Sequence, residues 1–550
     1  MIFENVISAF GDVLALNTLM LMAMGVACGL IAGSIPGFTI TMAVVLTLPF
    51  TFGMSPIEGL STMLGVYVGG LTGGMFASAL MGIPGTPSAI STTFDGFPMA
   101  RNGRPGLALG LGLWSSFFAG ILSAMVLVVM APTLAAIGLE FGPWDYFTLV
   151  CFALTIAASL SDGALIKGLI AGIFGMVVAA IGEDAINGAE RMTFGIDTWQ
   201  SGFDFLPVLI GLFAFSQLLS DLRDTEAAKK PMLSGKHAIV RMEHMESIRL
   251  NFVHWITVLR ASAIGLFIGL LPAAGSSISN ILAYDQEKKA SKHPEKFGTG
   301  IPEGVISSEA SNNATAGGAL IMMMALGIPG DAVTAVMLGA LTIHNIAPSP
   351  TFISTQPKLA YAIMIAYFLA NFMTLALTSG CLRVFMLVTR VPLYILGVVI
   401  LAYCAIGVFT LSNVIADIWT LLLFGILGFV MRERGFPLTP MVLGVVLGPV
   451  AELNLSRAVA TSDDLTLFVT RPWALFFVLM AVFSVFFPLY QKAREKGRRW
   501  ALYFGPAFMV SVALPLVMMG GWFRIGLGIL LLLGGVALAF QRSRQAGTAV

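Results

Sequence analysis

The chain has 550 residues, of which 57% are hydrophobic and only 11% are charged. A soluble domain carries roughly 25% charged residues, so this composition excludes an ordinary soluble protein and predicts one that lies in a lipid bilayer. The formal net charge of +1 excludes the strongly basic surface that nucleic-acid binding needs. The apolar runs are long and do not alternate as they do in a membrane β-barrel, which predicts an all-α, multi-pass protein.

Long apolar segments follow one another along the chain, and polar connections separate them. The sequence predicts helical spans over about 18–33, 106–138, 145–160, 163–182, 205–221, 359–389, 392–410, 411–431, 437–450, 472–490, 502–520 and 522–540. A further glycine-rich apolar stretch at 40–81 is interrupted at Pro49 and Pro56, and a polar run covers 86–104.

The charge of the connections alternates and predicts the topology. Residues 183–204 carry five acidic side chains against one arginine, whereas residues 222–249 carry six basic side chains. Basic loops face the cytoplasm, so the N-terminus is predicted on the periplasmic side and the 222–256 linker on the cytoplasmic side. The basic run at 492–499 and the C-terminus are also predicted to be cytoplasmic.

Two copies of one tetrapeptide, Gly82–Gly85 and Gly327–Gly330, interrupt long apolar stretches. The prolines in them, Pro84 and Pro329, lack an N–H, and glycine adopts dihedrals that other residues avoid, so both motifs predict helix breaks. Rows of glycine and alanine spaced by four precede each motif, which indicates close helix packing or the geometry of a site. Broken helices at matching places in two halves point to a transport site.

Further pairs of similar segments support an internal duplication. Gly29–Pro36 resembles Gly265–Pro272 at an offset of 236, and both prolines, Pro36 and Pro272, predict helix breaks. The tetrapeptides are offset by 245, and a third pair at Pro207 and Pro440 is offset by 233. We therefore predict two inverted repeats, because the first begins outside the cell and the second begins inside. The predicted divisions are repeat 1 at 1–221, a cytoplasmic polar linker at 222–256, repeat 2 at 257–490 and an extension with two spans at 491–550.

The chemistry at the breaks is polar but not basic. No lysine or arginine occurs in residues 1–100 or 297–357, so an anionic substrate there is held by glycine amides, hydroxyls and asparagine amides. The predicted substrate-binding residues are Gly85, Thr86, Ser88, Asn312, Asn313, Gly330 and Asp331. A bound cation supplies the missing positive charge, and its predicted ligands are Ser276, Ser277 and Asn313.

Plainer explanations stand beside these. Asp331 either binds at the site or caps the helix that follows it. Asp95 is expected to form a structural ion pair with Arg101. The sequence contains no phosphate-binding loop, no nucleophile with a recognisable base and no metal-ligand spacing, so we expect neither an enzyme nor an organic cofactor, and no metal beyond sodium. An ion channel and a membrane scaffold without a transport site of its own are the alternative functions.

At these motifs the chain resembles a known family, the large permease subunit of the tripartite tricarboxylate transporters (TctA), over roughly residues 25–490. The matching segments are Gly82–Pro87, Asp95–Ala100 with Gly103 and Arg104, Glu303–Val305, Glu309–Asn313 and Gly327–Gly330.

The resemblance implies a bacterial inner-membrane secondary transporter for citrate-like tricarboxylates, dicarboxylates or other small organic acids. It implies symport with a cation (sodium or a proton) and two partners, a small membrane subunit and an extracytoplasmic solute-binding protein. Similarity to the wider ion-transporter superfamily implies re-entrant hairpins and elevator-type movement. The helices at 502–540 extend beyond the family's usual end and either replace part of the small subunit or decorate the scaffold.

Overall fold

The computed structural model describes residues 2–35, 37–161, 165–184, 188–222, 240–388 and 393–547. The chain divides into two compact units, of which the first comprises 1–139 with 203–433 and the second comprises 140–202 with 434–550. Both units therefore contain segments of both predicted repeats. The repeat boundaries stay a prediction, and most of the predicted 222–256 linker lies outside the described residues.

The first unit contains the two broken helices, α4 and α14, and the helices packed around them. Its helices from the first half are α1 (Ile2–Val13), α2 (Leu16–Ser34), α3 (Ile40–Thr51), α4 (Pro56–Met81), α5 (Thr92–Arg101), α6 (Pro105–Gly138), α9 (Phe205–Leu209) and α10 (Ser216–Leu222). Those from the second half are α11 (His244–Val253), α12 (Trp255–Gly269), α13 (Gly275–Ala290), α14 (Pro302–Leu326), α15 (Ala332–Ile343), α16 (Phe352–Thr355), α17 (Pro357–Val388), α18 (Leu393–Ser412) and α19 (Ile415–Glu433). A π-helical turn, Ile210–Phe215, joins α9 to α10, and 3₁₀ turns lie at Pro87–Ala89 and Pro294–Lys296.

The second unit is built from helices and one short hairpin. Strands β1 (Gly182–Glu183) and β2 (Glu190–Arg191) pair antiparallel, and a 3₁₀ turn follows at Asp197–Trp199. The helices of this unit are α7 (Pro143–Ser159), α8 (Leu165–Ala179), α20 (Leu438–Thr461), α21 (Leu467–Thr470), α22 (Pro472–Glu495), α23 (Ala501–Met518) and α24 (Trp522–Gly547).

Among the described residues, nine helices are long and apolar enough to cross a membrane. Helices α11 and α12 are bent by 79° at a short break and make a tenth span if the pair is counted as one. The prediction of an all-α polytopic membrane protein is confirmed. The polar run at 86–104 contains the helix α5, Thr92–Arg101. This helix continues through Pro98.

Local sequence explains where the central helix α4 begins. Ser55 accepts a hydrogen bond from the Glu58 backbone N–H, Glu58 accepts from the Ser55 N–H, and Pro56 occupies the first helical position. The most apolar window of α4 is 94% buried, whereas that of α24 is 11% buried. Helix α4 is therefore the core of its unit, and α24 lies at the surface of the other.

Candidate functional site

Both tetrapeptides follow helices that end in the same way. Gly82 and Gly327 each have φ of +70°, a left-handed conformation that glycine adopts without strain. Their backbone N–H groups donate to the carbonyls of Ser78 and Met323, respectively. The two breaks thus share one backbone geometry, with Pro84 and Pro329 three residues beyond the last helical residues, Met81 and Leu326.

The second glycine of each tetrapeptide is required by close packing. A Cβ atom on Gly85 would lie under 3.0 Å from the Gly33 carbonyl oxygen, and one on Gly330 would lie under 3.0 Å from the Gly269 carbonyl oxygen. These contacts repeat at the offsets found in the sequence, 269 − 33 = 236 and 330 − 85 = 245. Both predicted substrate-binding glycines are therefore also packing residues, which explains why no larger residue fits there.

The crossing of the preceding helices is duplicated as well. A Cβ atom on Gly29 would clash with the Val66 carbonyl oxygen, and one on Gly265 would clash with that of Ser311. The offsets are again 265 − 29 = 236 and 311 − 66 = 245. The rows of small residues thus serve helix packing, and the α2–α4 crossing has the same register as the α12–α14 crossing.

Of the other two predicted helix breaks, at Pro36 and Pro272, only the second lies among the described residues. Pro36 lies outside the described residues. Pro272 lies in the turn between α12 and α13, where Ala273 and Gly275 have φ of +58° and +64°. The helical conformation is therefore interrupted at Pro272, and the first turn of α13 contains Ser276 and Ser277. The Ser276 carbonyl accepts a hydrogen bond from the Ser279 hydroxyl at 3.1 Å.

The two asparagines predicted to bind substrate lie where α14 meets α4 and α6. The Asn312 Nδ2 donates to the Leu71 carbonyl at 3.2 Å. The Asn313 Nδ2 donates to the Ser116 hydroxyl at 2.7 Å, and its Oδ1 accepts from Thr72 at 3.4 Å. Both asparagines are buried, and they join the two halves of the chain through polar contacts.

The first break also contacts the second half. The hydroxyls of Thr86 and Ser88 hydrogen-bond each other at 2.9 Å, and both residues are buried. The Ser88 carbonyl accepts a hydrogen bond from Asn280 Nδ2 on α13. The backbone N–H of Gly85 faces the Ser78 hydroxyl at 3.4 Å. Thr86 and Ser88 thus place two hydroxyls at this break.

Asp331 caps the helix that follows the second break. Its Oδ1 accepts from the Thr334 backbone N–H at 2.8 Å, and the Thr334 hydroxyl donates to the Asp331 backbone carbonyl at 3.0 Å. The other carboxylate oxygen accepts from the Tyr67 hydroxyl on α4. Asp331 therefore has the capping role and also links the second break to the first half.

The buried carboxylate of Asp95 does not pair with Arg101, so the expected ion pair is wrong. Its oxygens accept from Tyr284 Oη at 2.8 Å and from backbone N–H groups of residues 298, 300 and 301. The Arg101 guanidinium instead lies 5.7 Å from the centre of the Phe97 ring. Backbone amides of a tight loop satisfied the carboxylate, and sequence spacing does not reveal such a loop.

The sequence leaves two interpretations of Glu309, a residue that lines a cavity or part of a solvated helix start, and the structure buries it in the first third of α14. It is 0% exposed and accepts hydrogen bonds from the Thr92 hydroxyl and, at 3.3 Å, from the Ser116 hydroxyl. No ion pair involves Glu309 within the described part of the chain. The signal in the sequence is one acidic residue among small polar residues inside an otherwise apolar helix.

Two arginines of the first unit form ion pairs with glutamates that do not belong to α4 or α14. Arg260 contacts Glu287 at 2.8 Å, and Arg104 pairs with Glu243, whose hydrogen bond raises the pKa of the arginine. Across the described ranges, no group of three or more His, Cys, Asp or Glu side chains is arranged to hold a metal ion. The crossing is thus a region of neutral donors and acceptors with the carboxyls of Glu309 and Asp331.

Comparisons with known proteins place the chain in a family. The sequence model of the family described as "Tripartite tricarboxylate transporter TctA family" matches residues 19–443. A protein of Agrobacterium vitis, named "Uncharacterized 52.8 kDa protein in TAR-I ttuC' 3'region", is 32% identical over 474 residues, covering 86% of this chain and 93% of its own length. A second, from the TAR-II ttuC' 3'region of the same organism, is 33% identical over 233 residues, 42% of this chain and 96% of its own. No solved structure matches the chain.

Proposed function

The chain belongs to the tripartite tricarboxylate transporter TctA family, and from this premise we propose that it is the permease subunit that imports small organic anions of the tricarboxylate or dicarboxylate class. Import occurs by alternating access coupled to a cation gradient. An extracytoplasmic solute-binding protein delivers the substrate, and a small membrane subunit completes the transporter in the bacterial inner membrane. The chain itself acts as a transporter and not as an enzyme.

One observation carries the proposal, the polar contacts between the two halves at the crossing of α4 and α14. Thr72 contacts Asn313, Asn312 contacts Leu71, and both asparagines are buried. Polar side chains inside a membrane protein are costly and are typical of substrate pathways. Non-helical backbone follows both α4 and α14, and such backbone is tolerated at membrane depth only inside protein or beside a water-filled cavity.

Within this region, Thr86 and Ser88 are the proposed substrate donors. A hydroxyl donates one hydrogen bond to a carboxylate without adding a charge, and these two hydroxyls already lie 2.9 Å apart. The predicted residues Asn312 and Asn313 face the same crossing from α14. Gly85 and Gly330 shape the backbone there, and Asp331 anchors the second break to Tyr67.

The test is uptake by purified full-length chain, reconstituted with its membrane partner and binding protein. Organic acids of one, two and three carboxyl groups are compared, with and without sodium. We expect saturable uptake of a dicarboxylate or tricarboxylate that requires the binding protein. Uptake that does not saturate and proceeds without the binding protein indicates a channel, and no uptake of any acid contradicts the proposal.

A pair of variants tests the proposed donors. Thr86→Val removes a buried hydroxyl and keeps the shape of the side chain, so we expect at least about a tenfold loss in uptake, the equivalent of about 1.4 kcal/mol. The control is Thr133→Val on α6, whose exposed hydroxyl bonds only its own helix at Val129. Equal uptake by the two variants would remove Thr86 from the site. Valine at Gly85 or Gly330 is a poorer test, because a Cβ there clashes with the backbone.

The predicted orientation has its own test. In a chain with the four native cysteines replaced, Asn5→Cys places a single thiol near the N-terminus and Lys496→Cys places one in the basic run at 492–499. A membrane-impermeant thiol reagent applied from the periplasmic side should label Asn5→Cys and leave Lys496→Cys unlabelled. Labelling of both, or of Lys496→Cys alone, contradicts the predicted topology.

A further inference from the structure

Four buried side-chain oxygens near the first break lack a hydrogen-bond partner within the described residues. All four side chains are 0% exposed. A buried polar group without a partner costs about 1–3 kcal/mol, so several in one region need an explanation. The atoms are Ser91 Oγ, Asn280 Oδ1, Ser311 Oγ and Asn312 Oδ1.

The two amide groups have a defined orientation. Asn280 Nδ2 donates to the Ser88 carbonyl, and Asn312 Nδ2 donates to the Leu71 carbonyl at 3.2 Å. Turning either amide over would set its oxygen against a carbonyl oxygen, so the nitrogens occupy these positions. The unpartnered amide atoms are therefore oxygens, which accept and cannot donate. They suit a cation or a donor group and do not suit a carboxylate.

The register of α5 against α14 places Ser91 beside the two unpartnered groups of α14. Thr92 contacts Glu309, and the Asp95 carboxylate packs against Gly304. The two helices therefore run antiparallel, because higher numbers on α5 meet lower numbers on α14. Ser91 immediately precedes Thr92, and residues 311 and 312 follow Glu309 within one turn of α14, so this register directs Ser91 towards that turn.

Helix α13 closes the same region from another side. The hydroxyls of Ser279 and Thr315 hydrogen-bond at 2.6 Å, and Thr315 in turn donates to the Ser311 carbonyl at 2.7 Å. The neighbouring Asn280 reaches the Ser88 carbonyl, in the 3₁₀ turn that precedes α5. Three segments from both halves of the chain, joined pairwise by hydrogen bonds, thus carry the four residues.

We propose that Ser91, Asn280, Ser311 and Asn312 bind a sodium ion. Neutral amide and hydroxyl oxygens are ligands for a hard cation, and the absence of a His, Cys, Asp and Glu cluster in the described ranges argues against a transition metal. Glu309 lies one turn before Asn312, and its carboxylate balances one positive charge.

This inference rests on the proposed function, because it assigns the coupling ion to a place beside the substrate donors. The site belongs to both halves, with Ser91 from the first and the other three ligands from the second. It also differs from the predicted ligand set, in which the Asn313 side chain is engaged by Ser116 and Thr72.

The first experiment measures binding without transport. The purified full-length chain in detergent is unfolded by heat in sodium, potassium, lithium or choline chloride at constant ionic strength. A ligand that binds only the folded state raises the Tm as its concentration exceeds its Kd. We expect a saturable increase in Tm with sodium that potassium and choline do not reproduce. An equal Tm in all four salts overturns the proposal whatever any variant does.

Variants then locate the ion. Ser91→Ala and Ser311→Ala each remove one unpartnered oxygen and no protein hydrogen bond of that oxygen, so both should fold and bind sodium at least about tenfold more weakly. The matched control is Ser159→Ala in the second unit, another buried hydroxyl without a partner in the described residues. If both site variants keep the sodium affinity of the Ser159→Ala control, the ion does not bind here.

Uptake separates the two proposals. Sodium-specific stabilisation without uptake of any organic acid leaves the ion site standing and contradicts the proposed function. Saturable uptake of an organic acid without sodium-specific stabilisation supports the proposed function and overturns the sodium site. A substrate that raises the Tm equally in sodium and in choline, where sodium alone does nothing, also overturns it, because the oxygens then accept from a donor group of the substrate.

Discussion

Asp95 should hold the loop that leads into the second broken helix. Its carboxylate accepts from the backbone N–H groups of Gly298, Gly300 and Ile301 at 2.8–3.0 Å, and from the hydroxyl of Tyr284 at 2.8 Å. The side chain is 0% exposed, so water does not replace it. Asp95→Ala therefore leaves three amides without their acceptor.

The magnitude follows from these contacts. An unpaired buried donor costs about 1–3 kcal/mol, so three amides together make the loss at least about 3 kcal/mol. Asp95→Asn keeps an acceptor oxygen for the three amides, but it removes the charge and replaces the oxygen that accepts from Tyr284 with an NH2 group. Its cost should therefore be lower than that of Asp95→Ala, about 1–2 kcal/mol. The order of stability is therefore parent, Asp95→Asn and then Asp95→Ala.

Hydrogen–deuterium exchange and thermal unfolding in detergent check this prediction. Exchange of residues 297–301 should rise most in Asp95→Ala, and the Tm should fall in the same order. The matched control is Asp285→Ala, because Asp285 is 49% exposed and pairs with Lys289 on its own helix. A surface substitution of this kind changes stability by about 0.5 kcal/mol or less. If the loop exchanges equally in Asp95→Ala and Asp285→Ala, the three amides do not depend on Asp95.

Two further predictions concern packing and pH. Gly33→Ala and Gly269→Ala should each lower the free energy of unfolding by about 1–3 kcal/mol, because the new Cβ atoms would clash with backbone atoms. The control is Gly53→Ala, whose Cβ atom meets nothing within 4 Å. Equal Tm values for the three variants would contradict the duplicated packing. The hydrogen bond from Arg524 lowers the pKa of Glu140 below its ordinary value of about 4.3. A lowered pKa stabilises the folded state above the unfolded-state pKa, and this stabilisation disappears as the pH falls through the folded-state pKa. Glu140→Gln should therefore lower the Tm at about pH 7 by the equivalent of at most about 1 kcal/mol. This difference should shrink as the pH falls through the folded-state pKa of Glu140, and a constant difference would refute the pairing.

The sequence by itself determined the fold class, because low charge and long apolar runs permit only a bundle of membrane helices. It also located the ends of α4 and α14, since Gly82 and Gly327 stop a helix through a local backbone preference. The duplication was readable because its offsets of 236 and 245 are properties of spacing, and the same offsets recur in the contacts of Gly33 and Gly269. These features depend on neighbours in the chain.

The tertiary structure decided what each polar side chain does. The Asp95 carboxylate accepts hydrogen bonds from a loop about 200 residues away in the sequence, and the Asn280 amide donates to the Ser88 carbonyl, which is 192 positions away. A local sequence pattern therefore predicts neither contact. Glu309 and Asn312 acquire their roles from which faces of α14 meet α4, α5 and α6. A hydrogen bond depends on distance in space, and only the packing of helices brings distant residues within that distance. The partners of buried polar groups are therefore a property of the folded chain.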